Sequence, residues 1–195
     1  MQYTQQYVSP LGTIVLACDD DGLIGLWFEG QKYFARVLDA AARMSLEKNT
    51  AEQARTESHA TKNARTIFKD TTRWLDLYFS GTKPDFTPPL HFLGTPFQKD
   101  VWGILCEIPY GQTTTYGEIA RRIAKKKKLP HLSAQAVGGA VGKNEISIIV
   151  PCHRVVGTNG SLTGYAGGID KKIALLKLEN APLTHLFRPK RGTAL

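Results

Sequence analysis

A thiol, an imidazole and a guanidinium stand in a row at Cys152-His153-Arg154, after Pro151 and between the apolar residues Ile148-Ile149-Val150 and Val155-Val156. A thiol attacks as its thiolate, and an unperturbed cysteine of pKa about 8.5 is only a few per cent thiolate at pH 7. A base or a cation beside it raises that fraction, and His153 and Arg154 are the adjacent candidates. Adjacent side chains on a strand point to opposite faces, so neighbourhood in the chain does not by itself put the imidazole on the sulfur. Pro151 lacks an N–H and pushes Val150 toward extended backbone. The run reads as a buried strand interrupted at the proline, with the cysteine aimed from the break into a cleft. The competing reading is an inert core cysteine, a common fate of a lone Cys in an apolar run.

The elements that must position these groups follow from the flanks. Thr95-Pro96 opens a helix with a capping threonine and a proline at its first position. Phe97, Val101, Ile104 and Leu105 form its inner face, with Cys106 beside them as a core residue, and Ile108-Pro109-Tyr110-Gly111 ends it. Thr115-x-x-Glu118 is a capping box opening a helix over 116–124. Ser133 caps another over 134–141. Two short helices joined by a turn in a basic chain suggest a helix-turn-helix. The second is almost without side chains, through Ala134, Ala136, Gly138, Gly139, Ala140 and Gly142. Lys125 to Lys128 suit the C-terminal end of the first, with phosphate contact as a further use. After the cysteine, Gly157-Thr158-Asn159-Gly160 is a turn. Asp170 is placed to cap a last helix over 171–179 with Ile173, Leu175 and Leu176 inward. The tail, 181–195, carries Arg188, Lys190 and Arg191 and reads as loose.

The first half is plainer. Residues 3 to 28 read as three strands, with an Asp-Gly hairpin turn at Asp19-Asp20-Asp21-Gly22 and Cys18 as a structural thiol. From Arg43 to Asn63 the chain is polar and reads as a surface loop or loose helix, with His59 solvated. Ile67, Phe68, Thr71, Leu75, Tyr78 and Phe79 then recover a helical period that stops at Gly81. Thr87-Pro88-Pro89 is a stiff connector. The chain is therefore divided into residues 1–87, residues 88–180 with the chemistry, and the basic tail.

A chain of 195 residues with net charge +8 suits a polyanionic partner. The three cysteines are far apart with no C-x-x-C, which argues against a disulfide framework and a zinc knuckle. A reducing compartment is expected. No secretory leader is seen, no apolar run approaches membrane-spanning length, and no ligand cluster for a metal is visible.

Pro151-Cys152-His153-Arg154-Val155 resembles the signature of the O6-alkylguanine-DNA alkyltransferases, also called methylated-DNA–protein-cysteine methyltransferases. Ala136-Val137-Gly138-Gly139-Ala140 and Gly142-Lys143-Asn144 resemble that family's recognition helix and asparagine hinge. Thr163-Gly164-Tyr165-Ala166-Gly167-Gly168 and Leu175-Leu176-Lys177-Leu178-Glu179 resemble its active-site loop and last helix. The resemblance runs from Thr95 to Glu179. It implies an α+β protein with an N-terminal α/β domain on a small antiparallel sheet, RNase H-like, and a C-terminal winged-helix-like helix-turn-helix domain. It implies DNA repair by irreversible transfer of the alkyl group from O6-alkylguanine, with O4-alkylthymine as a further substrate, to Cys152 in one turnover.

The resemblance also implies the roles. Cys152 is the nucleophile, His153 takes its proton through a water, and Glu179 orients the imidazole. Tyr116 donates to the guanine ring and Asn144 braces the turn. Backbone carbonyls at Cys152 and Val155 read the exocyclic amine; Tyr165, Ala166 and Gly167 line the pocket, and Arg154 is placed with the substrate-binding residues. Ser133, Ala134, Gln135, Ala136 and Gly138, with Thr114 and Thr115, contact double-stranded DNA in the minor groove. No cofactor and no metal are expected, and the protein is expected to act as a monomer, cytoplasmic with the nucleoid in a prokaryote or nuclear in a eukaryote. Two positions depart from the family: Gln135 stands where arginine fills the gap left by the extruded base, and Glu145 stands where proline follows the asparagine. The rivals are a non-transferring sensor of alkylated DNA, a Cys–His hydrolase and a transcriptional regulator.

Overall fold

The computed structural model describes residues 1–47 and 61–189. His59 and most of the expected polar loop lie outside these residues, as do Lys190 and Arg191. The chain divides into two compact units, Met1–Leu93 and Gly94–Leu195. The proline connector belongs with the first unit because Leu23 donates to Pro89 O and His91 donates to Leu23 O.

The first unit is a three-stranded antiparallel meander in the order β1 (Tyr3–Ser9), β2 (Gly12–Cys18) and β3 (Leu23–Phe28), with helices α1 (Ala40–Glu47) and α2 (Lys62–Phe79). The tight turn into β3 is held by Asp19 Oδ1, which accepts from the N–H groups of Asp21 and Gly22. Gly22 is required there: a Cβ would lie 2.9 Å from Pro89 O and from His91 N. Alternation along β2 sorts its side chains to two cores. Val15 and Ala17 pack with Ile24, Trp27, Leu38 and Ala42. Cys18 faces α2, its Sγ 3.9 Å from Ala64 O, and burial pushes its thiol up to about 12. The periodic residues Ile67, Phe68, Thr71, Leu75 and Tyr78 form the buried stripe of α2.

The second unit contains α3 (Pro96–Cys106), β4 (Thr114–Thr115), α4 (Tyr116–Lys127), α5 (Ala134–Gly142), β5 (Val155–Val156) and α6 (Ile169–Leu178). The start signals act as their residue types dictate. Thr95 and Gln98 form a reciprocal capping box, Thr115 Oγ1 accepts from Glu118 N–H at 3.1 Å, and Ser133 Oγ accepts from Ala136 N–H at 3.1 Å. Helices α4 and α5 pack on each other and both pack on α3. Because α5 offers little side chain, Trp102 anchors it through a 2.9 Å bond from Nε1 to Ala140 O. Lys126 and Lys127 at the end of α4 pair with Asp100 on α3. No helix among the described residues is long and apolar enough to cross a membrane.

Four local expectations are corrected. Residues 148–150 are not a strand; they are a chain of tight turns in which Val150 N–H bonds Ile146 O and Cys152 N–H bonds Val150 O. Cys152–Arg154 forms a 3-10 turn, and only Val155–Val156 is extended, paired in parallel with Thr114–Thr115. Asp170 does not cap the last helix: Gly168 does, at φ 91° and with no side-chain bond, and Asp170 pairs with Arg188. Cys106 is exposed. The tail is docked as far as it is described. Ala181, Leu183 and Leu186 pack with Val156, Leu162 and Leu176, and Phe187 pairs backbone-to-backbone with Gly160 and Leu162.

Candidate active site

The turns leading to Cys152 are tied by one side chain. Asn144 lies just past α5, one residue beyond the C-cap Lys143. Its Nδ2 donates to Val150 O at 2.8 Å, Ile146 O at 3.3 Å and Cys152 Sγ at 3.1 Å, while Oδ1 accepts from Ile146 N–H. A primary amide has two donor hydrogens and an acceptor oxygen, so this residue both shapes the turn and hydrogen-bonds the sulfur. Within the loop Ile148 sits at φ 68°, where a β-branched residue costs on the order of 1–3 kcal/mol. That strain is held next to the reactive thiol. Glu145, at the family's usual proline, is buried.

Cys152 is only 4 % exposed. Burial raises its thiol pKa, opposed by the Asn144 bond and by the nearby Lys172 cation. The resting sulfur is therefore a thiol, and a base must take its proton.

His153 adjoins Cys152 in the chain and is paired with Glu179. Its Nε2 lies 2.6 Å from Glu179 Oε1, and its buried Nδ1 has no protein partner among the described residues. Burial is the main influence lowering the His153 pKa, and it outweighs the attraction of Glu179. Glu179 is fully buried at its side chain, yet the hydrogen bonds and charges of His153 and Arg154 hold its carboxyl far below the usual range. His153 and Glu179 thus form a buried pair, with His153 next to Cys152 in the chain.

Arg154 is corrected. Its Nε and Nη2 donate to Glu179 at 2.8 and 3.0 Å, its Nη1 donates to Ile108 O at 2.6 Å, and it lies over the Tyr110 ring. A guanidinium committed to these partners is a strut within the unit, in place of the expected substrate contact.

Tyr116 begins α4, and its hydroxyl donates to Thr163 O at 3.1 Å. Burial, and then the proximity of Cys152, raise its pKa. Tyr165 is buried with its ring edge-on to His153; Ala166 and Gly167 follow it, half-buried. A groove of about 320 Å³ is lined by Tyr116, Ala134, Gln135, Gly138, Thr158 and Thr163, among others. Ser133 and Ala136 are exposed at the start of α5, and Thr114 and Thr115 form β4.

Lys172 was not singled out from the sequence. It is fully buried on α6, and its Nζ donates to Val155 O at 2.6 Å and Thr163 O at 2.8 Å, so two walls of the site meet on one ammonium. Burial brings it down to about 8. The signal was legible: Lys172, Leu175, Leu176 and Glu179 fall at i, i+3, i+4 and i+7, one face of a helix. Gly111 is a second such residue. It adopts φ 73°, donates its N–H to Glu179 Oε2 at 3.1 Å, and an added Cβ would lie 2.7 Å from Glu179 O. Gly111→Ala is expected to cost about 1–3 kcal/mol through backbone strain and to slow the chemistry of Cys152. Urea denaturation and a thiol-alkylation rate measured together check this.

A buried thiol adjoining a buried His–Glu pair, on a scaffold of two short helices in a basic chain, suits a DNA-directed protein that works through a cysteine nucleophile. Residues 2–92 match the ribonuclease-like domain of 6-O-methylguanine DNA methyltransferase, and residues 96–181 match its DNA binding domain. The chain belongs to the 6-O-methylguanine DNA methyltransferase family. It is 41% identical over 179 residues to a methylated-DNA–protein-cysteine methyltransferase of Methanosarcina acetivorans, covering 92% of this chain and 99% of the relative. The crystal structure of Mycobacterium tuberculosis O6-methylguanine methyltransferase is similar with a TM-score of 0.67 at 38% identity, covering 93% of this chain and 96% of that one. The Mycobacterium tuberculosis OGT crystallised in complex with DNA gives a TM-score of 0.68 at 37% identity, covering 92% and 95%.

Proposed function

We propose that this protein repairs DNA by direct reversal, with Cys152 taking the alkyl group from O6 of guanine. The observation that carries this reading is His153: one ring nitrogen is held by Glu179, and the other is without a partner among the described residues, one residue from the thiol. The thiol proton passes through a water to Nδ1. The sulfur forms a bond to the alkyl carbon as the O6–carbon bond breaks, and the electron pair returns to the guanine ring. Tyr116 donates to that ring so that it leaves neutral. The product is a thioether, which resists hydrolysis, so each molecule acts once.

A sulfur 4 % exposed cannot reach a base stacked inside a duplex, so the nucleotide must be extruded, at a cost of a few kcal/mol. The minor groove suits α5. Its exposed positions are Ala134, Gln135, Ala136 and Gly139, and a Cβ at Gly139 would meet nothing within 4 Å. Internal packing does not require glycine there; close approach by a partner does. Ser133, Thr114 and Thr115 flank this surface, and a site assembled within one unit is compatible with action as a monomer.

Intact-mass analysis with an O6-methylguanine duplex tests the reading. Cys152 is expected to gain one methyl group and then stop, and Cys152→Ala to gain none. An unmodified thiol on a chain that still binds the duplex would leave only a sensor. Gln135 lines the groove and is too short and uncharged to fill the base stack strongly. Gln135→Arg is expected to tighten binding by about tenfold at low salt and, through the one added cation at the duplex, to steepen the salt dependence by about one unit of slope. Titration of labelled duplex at several salt concentrations reads both.

A further inference from the structure

The carboxylate of Glu179 is fully occupied. Oε1 takes Arg154 Nη2 at 3.0 Å and faces His153 Nε2 at 2.6 Å; Oε2 takes Arg154 Nε at 2.8 Å and Gly111 N–H at 3.1 Å. An ionised carboxylate only accepts hydrogen bonds. Nε2 must therefore carry the proton of a neutral imidazole, and Nδ1 must carry the lone pair. We propose that Arg154 is a positioning residue, whose guanidinium, forked on both oxygens of Glu179, fixes the His153 tautomer and leaves Nδ1 as the proton acceptor. The inference rests on the reading of His153 as the base for Cys152.

Two features support it. The fork is planar and bidentate, a geometry that an ammonium cannot reproduce. Its third arm on Ile108 O and its stacking on Tyr110 fix the guanidinium against the loop that ends α3, so Glu179 has one place to sit. The charge has a second effect. With Glu179 neutralised by Arg154, the carboxylate has less attraction left for a proton on His153, and Arg154 lowers the imidazole pKa directly. The other groups facing His153 are Lys172 on α6, which acts in the same direction, Cys152 in its own turn, and the Tyr165 ring from the following loop.

The test is imidazole nitrogen NMR of the full chain with the pH profile of methyl transfer, in the native protein, Arg154→Met and Arg154→Lys. The native ring is expected to be the neutral Nε2–H tautomer from pH 6 to 9. In Arg154→Met the His153 pKa is expected to rise by about one unit, so that transfer falls about twofold at pH 6, approaches a tenfold loss as pH falls further, and recovers by pH 8. Arg154→Lys keeps a charge without the fork, and is expected to hold the pKa while mixing the two tautomers. An unchanged tautomer and titration in both variants would overturn the proposal, as would a rate lowered equally at every pH, the mark of a merely structural role. Should Arg154→Met not fold, a single native-like tautomer in Arg154→Lys would overturn it alone. Failure of the wider reading shows separately, as no mass gain on Cys152 of the native chain.

Discussion

Glu179→Gln is expected to damage both stability and chemistry. The amide keeps the shape of the side chain and loses the charge. Arg154 is then a buried cation facing a neutral group, and breaking a buried pair from one side costs about 3–5 kcal/mol. In a chain of this size that is roughly a ten-degree fall in melting temperature. Methyl transfer should drop by about 10² to 10⁴, the usual worth of a positioned base. The pH dependence gives a cleaner check. The folded pKa of Glu179 lies far below its unfolded value of about 4.3. Its stabilisation is therefore fully present above that value and lost as pH falls toward the folded one. The native protein should lose urea resistance steadily from about pH 5 downward, and Glu179→Gln should lack that component. Equal acid slopes for the two proteins would refute the assignment.

Asn144→Ala removes three hydrogen bonds to the turn and the donor on the sulfur. The Ile146 N–H left behind is buried, and an unsatisfied group of this kind costs about 1–3 kcal/mol; Val150 O keeps its bond from Cys152 N–H. A thiolate that loses its donor is also harder to form, since the bond favours the charged sulfur. Alkylation of Cys152 by a small thiol reagent should slow by about tenfold or more, in the absence of any DNA. Asn144→Asp should be slower still, because a carboxylate beside the sulfur repels the thiolate. The order Asn, Ala, Asp in thiol reactivity is the measurement; an Asp variant as reactive as the native protein would remove Asn144 from the chemistry.

Residue types and spacing were enough for three helix starts, though not for Asp170 at the last helix, because side-chain capping is local. Thr95, Thr115 and Ser133 each bond a main-chain N–H three residues on, whatever lies around them. The apolar runs of β2 and β3 about their Asp-Gly turn and the helical stripe of α2 were legible for a similar reason: each records residues that must leave water. The chemical residues were legible through their company, with Cys152, His153, Asn144 and Glu179 set in motifs that resemble one family.

Other features depended on contacts between residues distant in the chain. The run before Cys152 has the composition of a strand, but Asn144 collects its carbonyls into turns and β5 finds only two residues to pair with. Arg154 looked available for substrate, until Glu179, 25 residues away, claimed its fork. The tail is charged at its end, yet Leu183 and Leu186 find an apolar surface made by Val156, Leu162 and Leu176. Sequence by itself determined most of the helices and the first three strands and named the candidate groups, since caps, periods and motifs are properties of short stretches. Tertiary structure alone decided which donor met which acceptor, because a buried charge is bound by whatever partner the packed chain brings within about 3 Å.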